Sequence, residues 1–168
     1  MMGISDVLEI VERLGGAGVR VWLDGGWGVD ALIGRQTREH DDLDIVIPLS
    51  KADAARRILM EDGFGISEDE STLCFVARAP RDRRVDAHTV TFDEEGAGLQ
   101  RQEDGTFWRY PPEGFSGRGR VGGRAVACLS AEVQVLCHLN YEPDDTDRRD
   151  MRLLAESCGI PLPPLFLR

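Results

Sequence analysis

The chain has 168 residues, of which 42% are hydrophobic and 30% charged, and its formal net charge is -10. That is too apolar for a disordered chain and long enough for one domain with a real core, or for two tightly joined lobes. The acidic balance argues against a nucleic-acid partner, whose phosphates require a basic face, and suits a cationic small molecule or plain solubility.

Ser5 is placed to cap a first helix running to about Leu14, with Val7, Leu8, Val11 and Leu14 on one face and Gly15-Gly16 as its stop. Val19 to Leu23 reads as a strand. Gly25-Gly26 follows, and Val29, Leu32 and Ile33 suggest a short helix ended by Gly34. Gln36 to Asp41 is a polar loop, and Leu43 to Ile47 a second strand stopped by Pro48. Ser50 and Asp53 read as an S-x-x-D capping box for a helix to about Glu61, ended by Asp62-Gly63. Leu73 to Ala77 is expected as a strand, Pro80 to Arg83 as a turn, and Arg84 to Phe92 as the next strand. Residues 93 to 123, rich in Gly and acids with Phe107, Trp108, Tyr110 and Phe115, read as loops and short strands around a pocket. Val121 and Ala125-Val126 flank Gly122-Gly123 as a hairpin. Ser130 caps a helix to about Tyr141, Pro143 breaks it, and a last helix runs through Cys158 to a Gly159 cap. The Pro-rich tail IPLPPLFLR is expected to lie along the surface.

The interleaved strands and helices with irregular spacing predict an α+β (mixed α/β) fold. The four cysteines form no C-x-x-C pair and the three histidines do not stand beside them at zinc spacing, so free thiols in a reducing compartment are expected. The N-terminal MMGISDVLEIVERL does not read as a signal peptide, and no stretch approaches the roughly 20 apolar residues that span a bilayer. The expected location is the cytoplasm, without membrane association.

The chemistry lies in the carboxylates. Residues two apart on a strand face the same side, so Asp42 and Asp44 project together while Leu43, Ile45 and Ile47 take the core side. Adjacent carboxylates repel, and a divalent cation removes the conflict. Mg²⁺ takes oxygen ligands and is commonly held by one or two carboxylates plus substrate phosphates. Asp86, within R-V-D-A-H-T-V, has a similar setting. If its strand lies beside that of Asp44, the trio could hold metal, or Asp86 could take a proton from an acceptor hydroxyl. The same pattern also fits ordinary solvent-facing acids. Gly25-Gly26 between a strand and a helix start would let backbone N–H groups approach a phosphate, or would simply turn the chain. Arg38 could neutralise a triphosphate. His40 and His88 read either as site residues or as packing.

Taken together, LDGGWGVDALIGRQTREHDDLDI, VDAH at 85–88 and CLSAEVQVLCHLNYEPDDTDRRDMRLL at 128–154 resemble the nucleotidyltransferase superfamily. Within it they are most similar to the small antibiotic nucleotidyltransferases, above all the lincosamide enzymes. The aminoglycoside 2''-adenylyltransferases share the G-G-W and H-D-D-x-D signatures. The resemblance leaves about 93–120 unmatched. It implies a nucleotidyltransferase-like fold, a mixed β-sheet flanked by helices with a C-terminal helical part. The division would be a core over 1–92 and an acceptor-binding part over 93–168, or one continuous domain 1–168. It implies transfer of a nucleoside monophosphate (AMP) from Mg-ATP to an antibiotic hydroxyl with release of pyrophosphate. Gly25 and Gly26, with Arg38 and His40 nearby, would hold the nucleotide, and Asp42, Asp44 and Asp86 would hold Mg²⁺ and perform catalysis. His88, Trp108 and Tyr110 are candidate acceptor contacts. Glu94, Glu95, Glu103 and Asp104 would suit a polycationic aminoglycoside, whereas the aromatics would suit a lincosamide. The family pattern also allows a homodimer. Competing expectations are a non-antibiotic acceptor and a non-catalytic binding module on the same fold.

Overall fold

The computed structural model describes residues 1–70, 74–102, 104–139 and 141–167. Helix α1 (Ile4–Gly16) buries Val7, Ile10 and Leu14. Its cap is not Ser5: the Gly3 N–H donates to Asp6 Oδ2 at 3.0 Å, so the acid at the third helical position closes the first turn. The strand expected over Val19 to Leu23 shrinks to β1 (Trp22–Leu23). Val19 and Val21 are buried as the apolar pattern suggested, but only Trp22 and Leu23 find ladder partners, on the strand that follows.

Helix α2 (Gly25–Ile33) buries residues around most of its circumference, as a helix inside a fold must. Asp24 is its N-cap, and Gly34 ends it in the left-handed conformation at φ 82°. Strand β2 (Leu43–Pro48) follows, with Leu43, Ile45 and Ile47 fully buried. The expected S-x-x-D capping box does not form. Ser50 lies in a 3₁₀ turn (Leu49–Lys51), and α3 (Ala52–Glu61) starts one residue later than expected, with Lys51 at its cap and no side-chain bond. Strand β3 (Gly65–Glu70) is an edge strand that the sequence did not advertise, because G-I-S-E-D-E has no apolar alternation. Strands β4 (Cys74–Ala79) and β5 (Arg83–Phe92) follow. Leu73, the expected first residue of β4, is outside the described residues.

The sheet runs β1-β2-β5-β4-β3. It is mixed: β2 and β5 are parallel, and their neighbours are antiparallel. It is extended by β6 (Gly98–Arg101), which pairs with the end of β5, and by β7 (Phe107–Tyr110) on β6. The sheet therefore continues past residue 92. A separate hairpin, β8 (Arg118–Val121) and β9 (Arg124–Ala127), turns through Gly122 and Gly123, both at positive φ.

Helix α4 (Ala131–Cys137) stops four residues short of Tyr141, and its Ser130 cap makes no side-chain bond. Helix α5 (Asp145–Cys158) opens with a reciprocal cap between Asp144 and Asp147 and closes on Gly159. The tail does not lie on the surface. Its 3₁₀ turn (Pro164–Leu167) drives a fully buried Phe166 among Val29, Val135, Met151 and Leu154. Thus α1 and α3 cover one face of the sheet, while α2, α4, α5 and the tail form a second apolar layer. Among the described residues no helix is long and apolar enough to cross a membrane.

Candidate active site

Asp44 and Asp86 are register partners on the parallel strands β2 and β5, so they stand side by side on the same face. The predicted convergence is observed. Asp42 immediately precedes β2 on that side. A fourth acid, Asp24, completes the group. Its N–H donates to Asp44 O at 3.0 Å, and its own Oδ1 accepts from Gly25 N at 2.8 Å. Asp24 lies outside the D-x-D pattern, although a polar residue between a strand and a helix start is itself an N-cap signal.

The glycine pair is pressed against the acids. Gly25 has φ +55°, and a Cβ there would overlap Asp44 Oδ2. A Cβ on Gly26 would collide with the His40 ring and meet Arg38 Nη2 at 2.8 Å. Burial holds the Asp44 carboxyl well above its usual range, and repulsion from Asp42, Asp24 and Asp86 adds to it. Burial also raises Asp86, against the opposing pull of Arg84. Arg84 grips Asp86 at both oxygens, Nε to Oδ1 at 2.8 Å and Nη2 to Oδ2 at 2.6 Å. Among the described residues no three acid, histidine or cysteine side chains form a finished metal cage. The donor set nonetheless fits Mg²⁺, being all carboxylate oxygen and carrying a mutual repulsion that a cation would relieve.

Asp24, Gly25, Gly26, Asp42 and Asp44 line the base of a cleft of about 620 Å³, and Asp86, held by Arg84, stands beside Asp44 without lining it. Arg38 lines it too, held by Asp150 Oδ2 at 2.9 Å. His88, Trp108 and Tyr110 all reach it, and Gln100 links two of them: Tyr110 Oη donates to Gln100 Oε1 at 2.8 Å, and Gln100 Nε2 meets His88 Nδ1 at 3.2 Å. The outer wall contains Cys137, His138, Tyr141 and Asp147, none of which the sequence singled out. The acids expected to greet a polycation lie elsewhere. Glu95 is paired with Arg109 at 2.8 Å, Asp104 caps Thr106, neither they nor Glu94 line the cleft, and Glu103 is outside the described residues. A larger groove of about 760 Å³, walled by Trp22, Phe92 and Phe115, has no acid among its described lining residues and shares none of them with the acid-lined cleft.

His40 is not in the cleft. It is 3% exposed, lies against the Trp27 ring, and bonds through Nε2 to Asp30 Oδ2 at 2.6 Å. Asp30 Oδ1 accepts from both the amide and the hydroxyl of Thr37. His40 thus supports the glycine pair from behind. Asp30→Ala is expected to destabilise the fold by about 2 kcal/mol, since it strips the buried His40 ring of its partner and leaves two part-buried Thr37 donors unpaired. The urea midpoint of unfolding measures this.

Comparison with known proteins agrees with the geometry. The family model described as aminoglycoside-2''-adenylyltransferase matches residues 6–154. A lincosamide resistance protein of Staphylococcus haemolyticus is 29% identical over 148 residues, covering 88% of this chain and 89% of that protein. A 2''-aminoglycoside nucleotidyltransferase of Klebsiella pneumoniae is 28% identical over 143 residues, covering 83% and 76%. Among solved structures, a lincomycin-bound lincosamide antibiotic adenylyltransferase superposes with a TM-score of 0.82 at 27% identity, over 91% of this chain and 96% of that one.

Proposed function

The chain belongs to the aminoglycoside-2''-adenylyltransferase family, and from that premise we propose that it transfers AMP from Mg-ATP to a hydroxyl of a lincosamide, releasing pyrophosphate. It is a nucleotidyltransferase with the nucleotidyltransferase fold. The observation that carries the reaction is the register of Asp44 with Asp86 beneath a helix start stripped of side chains at Gly25 and Gly26.

In this reading the first turn of α2 and the Arg38 guanidinium receive the triphosphate. Asp42, Asp44 and Asp86 would hold Mg²⁺, which when bound neutralises charge on the phosphoryl oxygens. The acceptor oxygen attacks the α-phosphorus, the bond to the β-phosphate's bridging oxygen breaks, and pyrophosphate departs. The acceptor's proton passes to Asp86 once its carboxylate is free. The arrangement works mainly by positioning.

The acceptor wall favours a lincosamide. Phe107, Trp108 and Tyr141 present rings to the cleft, and Asp147 supplies one carboxylate for one amine. A 2''-adenylyltransferase acting on an aminoglycoside is the second reading, favoured by the family match and by the three acids (Asp24, Asp42 and Asp44) at the base of the cleft. The test is pyrophosphate release with Mg-ATP against lincosamides and aminoglycosides, each product weighed by mass spectrometry. An adenylylated lincosamide is expected. An adenylylated aminoglycoside alone would transfer the assignment to the second reading, and an adduct on protein would overturn both. Asp147→Asn is expected to raise the acceptor KM about tenfold through loss of a charged contact, while the KM for ATP stays put. Parallel changes in both constants would remove Asp147 from the acceptor wall. We propose that it acts in the cytoplasm, and its net charge of -10 supports action on small molecules without a nucleic-acid partner.

A further inference from the structure

We propose that Arg84 is a resident counter-ion of the acid cluster, competing with the divalent cation for Asp86 and releasing it as the cation binds. The inference rests on the nucleotidyltransferase reading above. Arg84 and Asp86 are two apart on β5 and so share a face. The guanidinium is bidentate on Asp86, which occupies both carboxylate oxygens. Its third nitrogen, Nη1, stands 3.9 Å from Asp42 Oδ2. One side chain therefore bridges two of the three acids assigned to the metal. While that fork is closed, Asp86 can neither ligate a cation fully nor accept a proton.

The neighbouring arginines are differently employed. Arg38 is tied to Asp150, Arg83 stacks over Phe64, and Arg109 pairs with Glu95. Arg84 is also built to leave. Its side chain is 34% exposed, against 18% for Asp86, so the guanidinium can swing into water while the carboxylate stays in place. A divalent ion carries twice the charge of the guanidinium and prefers carboxylate oxygens, so it can displace even this partly exposed fork. Four carboxylates (Asp24, Asp42, Asp44 and Asp86) crowd this spot, and the Arg84 charge offsets part of their mutual repulsion.

The experiment is calorimetric titration of the full chain with Mn²⁺ alone, without nucleotide, for wild type, Arg84→Gln and Arg84→Lys. Melting temperatures are recorded with and without the metal. Arg84→Gln is expected to bind Mn²⁺ about tenfold more tightly. Arg84→Lys keeps the charge but cannot close the fork, and is expected to bind more tightly than wild type by a smaller factor. Both should melt lower than wild type without metal and recover with it. Wild-type affinity in Arg84→Lys would reduce the effect to bulk charge and overturn the proposal, as would unchanged affinity in both variants. If wild type releases pyrophosphate yet the variants behave this way, only the present inference fails. If wild type neither binds Mn²⁺ nor releases pyrophosphate, the site assignment fails with it.

Discussion

Asp44→Asn is expected to lower pyrophosphate release by on the order of 10³-fold while leaving the metal-free fold at least as stable as wild type. The two halves of this result have one cause. Asp44 is the most crowded carboxylate of the cluster, lying in register with Asp86 and bonded through its backbone to Asp24. Its ionised form is disfavoured first by burial and then by Asp42, Asp24 and Asp86. An amide of the same shape removes the charge that repels its neighbours, and removes with it the oxygen charge that a metal needs.

The pH dependence gives the sign. In the unfolded chain Asp44 ionises near 3.8, and in the fold it ionises well above that value. Below the unfolded value both states hold the proton. As pH rises through the window between the two values, the folded state keeps a proton that the unfolded state has lost. Metal-free wild type therefore loses stability as pH rises across that window. Asp44→Asn has no such group, so its melting temperature should gain on wild type from about pH 4 upward in the presence of a chelator. Loss of activity accompanied by a large drop in melting temperature would instead assign Asp44 to the core. Asp42→Asn should likewise lower transfer steeply with the fold intact.

The features that could be read in advance are those encoded over a few neighbouring residues. D-L-D-I-V-I sorts acids from core by strand alternation alone. Gly34 and Gly159 mark helix ends because each takes the left-handed conformation that other residues resist. What escaped depends on contacts distant in sequence. His40 looked like a site residue because its partner Asp30 lies ten positions earlier, on a helix that appears uniformly apolar. Arg84 looked like a strand start, and its role depends on how β5 packs beside β2. Tyr141 and Asp147 reach the cleft because α4 stops at Cys137, and no breaker residue announces that stop. The Pro-rich tail around Phe166 reads as a surface segment, yet the Phe166 ring fills the layer between α2 and α5. Residues 93–123 hid β6 and β7, whose pairing is with each other and with the far end of β5.

Gly25→Ala is expected to cost about 1–3 kcal/mol in stability from backbone strain alone, and to reduce kcat/KM by at least about 10²-fold. Two effects act together at this position. Its φ of +55° is strained for any L side chain, and the added methyl would overlap Asp44 Oδ2. To relieve that overlap, either the Asp44 carboxyl rotates away from Asp86 or the start of α2 lifts off the acids. Both moves separate the phosphate-binding turn from the carboxylates. Gly34→Ala supplies the control. Its φ is +82°, yet nothing lies within 4 Å of the added methyl, and it sits at the far end of α2. Gly34→Ala should therefore show a comparable loss of stability by urea denaturation and near-normal turnover. Equal kinetic losses in the two variants would attribute the effect to the strained helix as a whole. A loss confined to Gly25→Ala places it in the contact between glycine and carboxylate, where the backbone comes closer to an acid than any side chain would permit.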